Sequence, residues 1–152
     1  MEGTKEINYR GILKFVIPDN WIEEYDDTHG GSFYEDSELS GTFRVKLLSL
    51  TAPLEKGNLS VLDFLNDINA INSEAVLLPN SNGFKKFKEN TTESGHEINI
   101  FYWTIAQKLN KNKFRLANFS YTILTSQLHK RTTIEAIDFL SNQIVNAEFT
   151  KD

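Results

Sequence analysis

The chain has no cysteine, one methionine and three prolines in 152 residues. A disulfide scaffold, thiol chemistry and any cysteine-based zinc or iron–sulfur site are therefore excluded. An excess of positive charge is also missing. The 16 Lys and Arg stand against 21 Asp and Glu, for a formal charge of -5 and a pI near 5.2. Nucleic-acid binders ordinarily present a basic face, so no nucleic-acid partner is expected. No apolar stretch approaches the ~20 residues of a membrane-spanning helix, which predicts no membrane insertion. The opening residues, Met1 to Glu6, have neither a basic n-region nor an apolar h-region. A secretory signal is thus not visible, and a cytoplasmic location is the expectation. There is no Gly-x-Ser-x-Gly elbow, no Gly-x-Gly-x-x-Gly and no Walker-type loop.

Apolar residues make up 39% of the chain and aromatics 12%, which is enough for a packed core and excludes global disorder. The length fits one domain, residues 1–152, able to bury roughly 70% of its unfolded surface. Gly11 to Ile17 reads as a strand stopped at Pro18-Asp19-Asn20. Trp21 to Tyr25 and Ser32 to Asp36 follow as strands across a loop that includes Gly30 and Gly31. Thr42 to Thr51 alternates Phe43, Val45 and Leu47 against Thr42, Arg44 and Lys46. Ser60 caps a helix with Val61, Phe64, Leu65, Ile68 and Ile71 on one stripe, ending near Ser73.

Ala75 to Leu78 is a short strand, and Phe84 to Thr91 an edge strand kept soluble by Lys85, Lys86 and Lys88. Glu97 to Leu109 and Phe114 to Thr125 form a long central hairpin. A second helix begins at Thr132, with Glu135 completing a capping box, and buries Ile134, Ile137, Leu140, Ile144 and Val145. The predicted class is α+β, a central antiparallel sheet of about six to seven strands packed by two main helices.

Four segments carry a family resemblance. They are Phe15-Val16-Ile17-Pro18-Asp19-Asn20-Trp21, Gly30-Gly31-Ser32-Phe33-Tyr34, Gly41-Thr42-Phe43-Arg44-Val45, and a late Phe119-Ser120-Tyr121-Thr122 strand before a helix closing on Ala147-Glu148-Phe149. Together they resemble the PsbP-like superfamily, which joins the PsbP extrinsic photosystem proteins, the Ran-binding Mog protein and small bacterial domains of unknown function. The resemblance implies an α/β/α sandwich, a sheet between helices. Relatives act as adaptors or chaperones, or bind a GTPase or a membrane complex. The implied function is a non-enzymatic protein-binding or adaptor module, with another protein as partner and a homodimer as a further possibility. No functional residue carries over by motif.

On the residues themselves, no catalytic, cofactor-binding or metal-binding set is expected. His29 beside Glu23, Glu24, Asp26 and Asp27 lacks any regular ligand spacing and reads as a solvated acidic turn. The candidate binding surface is Trp21, Tyr34, Arg44 and Trp103, large rings plus an arginine on an otherwise apolar strand, and whether they face one cleft is the first question for a structure. The alternative is a small-ligand-binding protein or enzyme with a pocket between sheet and helix.

Overall fold

A computed structural model describes residues 3–28, 30–68 and 74–150. The strands are β1 (Thr4–Tyr9), β2 (Leu13–Pro18), β3 (Trp21–Asp26), β4 (Gly30–Glu35), β5 (Thr42–Thr51), β6 (Val76–Leu77), β7 (Gly83–Glu93), β8 (His96–Lys108), β9 (Lys113–Leu124) and β10 (Glu148–Phe149). The helices are α1 (Val61–Ile68) and α2 (Arg131–Val145). Seven strands form one antiparallel sheet in the order β3-β4-β5-β9-β8-β7-β6, with the long β8–β9 hairpin in its interior. A second, three-stranded sheet, β1-β2-β10, takes the expected Gly11–Ile17 strand out of the central sheet as β2 and pairs it with two strands that were not expected. The class is therefore α+β as expected, with one more layer component.

Strand periodicity explains the layering. Along β5, β8 and β9 the odd-numbered Phe43, Val45, Trp103, Ile105, Phe119 and Tyr121 pack against Leu13, Phe15 and Ile17 of β2 and Ala136, Leu140 and Ile144 of α2. Phe15 meets Phe33 and Phe119 edge-on, at 5.7 and 5.6 Å between centroids, and Phe43 stacks on Phe119 at 5.6 Å. Each fully buried phenylalanine contributes about 1.5–3 kcal/mol of transfer free energy. At one end of the opposite face, α1 lays Val61, Phe64 and Leu65 over Ala106, Phe114 and Leu116, with Phe64 and Phe114 stacked at 3.9 Å. The helices thus lie on opposite faces of the large sheet.

Several local expectations need correction. Gly30 and Gly31 are the first two residues of β4, not loop residues. Gly30 has φ +85°, and a Cβ there would strike the Val45 carbonyl oxygen, so the position requires glycine. Ser60 does cap α1, accepting from the Asp63 N–H at 3.1 Å. Ile68, however, is 45% exposed, and the expected continuation through Ile71 to Ser73 lies outside the described residues. The capping box at Thr132 and Glu135 does not form. The short 3₁₀ turn Thr125–Gln127 delivers the chain so that Lys130 takes the extended N-cap conformation without a side-chain cap, and Glu135 instead approaches Arg131 at 3.4 Å. The buried side of α2 is Thr133, Ala136, Leu140 and Ile144, which turns Ile134 outward. Lys85 is no surface lysine: it is 2% exposed and its ammonium lies 3.5 Å from the Leu65 carbonyl in the last turn of α1, where the helix dipole favours a cation.

Candidate functional site

Trp21 and Trp103 face the core, 7% and 3% exposed. Trp21 stacks on Tyr121 at 6.4 Å, and Trp103 sits within the main cluster of rings. Tyr34 and Arg44 are on the other face of the same sheet. Ser32 pairs with Arg44 and Tyr34 with Thr42, so Tyr34 and Arg44 are diagonal neighbours across β4 and β5. The structure therefore brings together the tyrosine and the arginine and separates them from the two tryptophans. The four residues do not share one cleft.

The face that holds Tyr34 and Arg44 is largely uncovered for a simple geometric reason. At 1.5 Å per residue, the eight residues of α1 span about 12 Å. The 13 residues of β8 span roughly 40 Å. Beyond the end that α1 covers, register sets one row of side chains straight across five strands: Ser32, Arg44, Ser120, Tyr102 and Phe87. At the usual strand spacing this row is about 19 Å wide. The next row toward α1 begins with Lys46 and Asn118, and Asn118 accepts from the Thr104 hydroxyl at 2.8 Å.

Two phenols frame the row, each tethered to a carboxylate. The Tyr34 hydroxyl donates to Glu24 at 2.8 Å, and the Tyr102 hydroxyl to Glu89 at 2.9 Å. The bond to Glu24 raises the Tyr34 pKa, while burial and then Glu89 push Tyr102 up to about 12. Both phenols are neutral donors near neutrality. Phe87 stacks on Tyr102 at 4.5 Å with 15° between planes, forming a flat apolar rim. Between these tethered acids, Arg44 and Lys46 are exposed and make no ion pair among the described residues. Lys46, Ser120 and Phe87 were not among the candidates, although alternation along β5 already set Lys46 beside Arg44. What no single strand could reveal was the register joining them to Tyr102 and Phe87.

A cavity of about 430 Å³ lies on the core side, between Trp21, the β4–β5 turn and the start of α2. Among the described residues no three His, Cys, Asp or Glu side chains are placed to hold a metal ion, and His29 lies outside those residues. No described helix is long and apolar enough to cross a membrane.

The strand order and the flanking helices define an α+β protein of the PsbP-like fold, the fold shared by the Ran-binding Mog protein. No protein-family model matches the chain, and no curated protein does. Solved structures match across its length. A protein from Bacteroides thetaiotaomicron is 18% identical with a TM-score of 0.66, and the match covers 100% of this chain and 50% of that one, so the chain spans half its length. LpqN of Mycobacterium tuberculosis, involved in cell envelope biogenesis, is 13% identical with a TM-score of 0.63 over 98% of this chain and 91% of LpqN. The Ran-binding protein Mog1p of Saccharomyces cerevisiae is 14% identical with a TM-score of 0.50 over 97% and 95%. At such identities the likeness establishes the fold, and function rests on the chain's own surface.

Proposed function

We propose that this chain is a non-enzymatic protein-binding module, and that it docks an acidic surface of another protein on the uncovered face of its large sheet. The observation that carries this reading is Arg44 and Lys46: two exposed cations without ion pairs among the described residues, in mid-sheet, in a chain whose net charge is -5. Surplus acid elsewhere makes an unpaired basic centre the place where an acidic partner is steered and oriented. Tyr34, Tyr102 and Phe87 add rigid ring surface around it, the kind of contact that dominates interface cores. That one protein of this fold, Mog1p, is a Ran-binding protein supports the reading.

A photoactivatable cross-linker placed at Ser32, next to Arg44, tests the reading, with Asp138 on the exposed side of α2 as the control site. In native lysate the Ser32 probe should capture one protein with an acidic surface, the Asp138 probe should not, and Arg44→Glu with Lys46→Glu should abolish capture. Capture that survives the double charge reversal, capture of nucleic acid, or capture from Asp138 alone would overturn it.

A further inference from the structure

The geometry points to the cavity at the start of α2 as a binding site for a small zwitterion, an α-amino acid or a dipeptide. Its volume, about 430 Å³, is in the range of small-molecule sites. One part of its lining is a bare helix N-terminus. Lys130 offers no side-chain cap, and the first bond of α2 runs from the Ile134 N–H to the Lys130 carbonyl. The N–H groups of Arg131, Thr132 and Thr133 therefore have no acceptor among the described residues. Of these, Thr132 and Thr133 line the cavity, and their amides, backed by the helix dipole, are suited to a carboxylate.

A second observation is independent of the helix end. Trp21, Gln127 and Thr133 all line the cavity and are 7%, 7% and 6% exposed. The Trp21 indole N–H, the Gln127 amide oxygen and the Thr133 hydroxyl make no hydrogen bond to a described residue; only the Gln127 amide nitrogen is engaged, with Ser126 at 3.1 Å. Buried polar atoms are nearly always paired, so three unpaired ones around one cavity mark the place of a polar occupant.

Charge then selects the class of occupant. Asp19 and Glu35 also line the cavity, and the Glu35 charge reaches the Tyr121 hydroxyl. Lys130 is a lining cation, and Glu135 is a further lining carboxylate that Arg131 already approaches. A plain anion would meet these carboxylates, and a plain cation would leave the amides of α2 unpaired. A ligand with an ammonium for Asp19 and Glu35 and a carboxylate for α2 satisfies both, with its side chain against the stacked Trp21 and Tyr121.

The site is separate from the uncovered face and is tested separately. In ¹⁵N-labelled protein the probes are L-leucine and alanyl-leucine, with N-acetyl-leucine and leucinamide as the single-charge controls. Both zwitterions should shift the Trp21 indole and Thr133 amide resonances saturably. The controls should bind at least about tenfold more weakly, since each loses one charged hydrogen-bonding end. Glu35→Gln and Asp19→Asn should weaken leucine and strengthen N-acetyl-leucine by removing a repelling charge, a selectivity that general misfolding does not produce. No saturable shift at millimolar leucine, equal responses to the controls, or equal weakening of every probe by both variants would overturn the site, which is then filled by water alone.

Discussion

Neighbouring residues on β5 and β9 have opposite fates. Phe43 and Val45 are 1% exposed, while Arg44 between them and Lys46 after them reach solvent. Phe119 and Tyr121 are buried, and Ser120 between them sits beside Arg44 on the other side. The difference is what covers each face. One side carries α2 and a whole three-stranded sheet, and the other, among the described residues, only the two turns of α1 at one end. One set of strands therefore supplies stability on one face and a chemically adjustable surface on the other. Substitutions one residue apart should then appear in different experiments, as lost stability or as lost binding.

The strongest way to break that division is Phe119→Ala. Phe119 is 1% exposed and touches Phe15 and Phe43, so the loss combines ring transfer with a cavity that tightly packed neighbours cannot close. Urea denaturation should show a loss of about 3–5 kcal/mol, a large share of the ~5–15 kcal/mol typical of a domain. A loss below about 1 kcal/mol would mean that the covered face is not the seat of stability. Gly30→Ala should rank next, at about 1–3 kcal/mol. Its positive φ and the Val45 carbonyl both oppose a methyl group, and that carbonyl belongs to a paired strand and cannot easily retreat. A melting temperature equal to that of the parent would refute the close approach.

The contrast between faces was partly legible in the sequence. Period-two alternation separates Phe43 and Val45 from Arg44 and Lys46 with no structural input, and it does the same for Trp103 against Tyr102. The long hairpin was readable for the same reason, and the Val61, Phe64 and Leu65 part of the α1 stripe from its helical period. Alternation within a strand does not state which face of one strand matches which face of another. Grouping Trp21 and Trp103 with Tyr34 and Arg44 therefore required registers such as Ser32 to Arg44, which long-range pairing alone sets. The small sheet was hidden by the same limit. β1 has only Ile7 and Tyr9 as buried hydrophobic residues, and β10 is two residues long, pairing Glu148 with Lys14 across almost the whole chain. The capping box failed because Thr132 and Glu135 satisfy a local pattern that the preceding 3₁₀ turn overrides.

A smaller effect sharpens the boundary between the faces at the β3 edge. There Lys5 of β1 reaches Glu23 at 2.8 Å and also donates to the Trp21 carbonyl. The bond to Lys5, then that from Tyr25, holds the Glu23 carboxyl below its ordinary value near 4.5. A depressed carboxyl pKa contributes stability above the unfolded value and loses it as pH falls through the folded one. The pair is partly exposed, so solvent screening keeps the contribution under about 1 kcal/mol. Glu23→Gln should therefore lower stability slightly at pH 7 and flatten the acid limb below pH ~4.5. An acid limb identical to that of the parent would show that the Lys5 contact does not tie the small sheet to the large one.

The smallest expected stability effect belongs to the residues of greatest interest. Arg44→Ser with Lys46→Ser removes two side chains that neither fill the core nor pair with an acid among the described residues. Denaturation should move by no more than ~0.5 kcal/mol, the ordinary range for surface positions. Association with the cross-linked partner should nevertheless slow, and its dependence on salt should flatten, because steering charges act mainly through the on-rate. A matched removal elsewhere, Lys86→Ser with Lys88→Ser on the exposed edge of β7, takes away the same net charge from a different place. If both pairs slow association equally, the effect is one of total charge and the uncovered face has no special role. If only the Arg44 and Lys46 pair does so while stability stays level, recognition and folding are divided between two faces of the same strands.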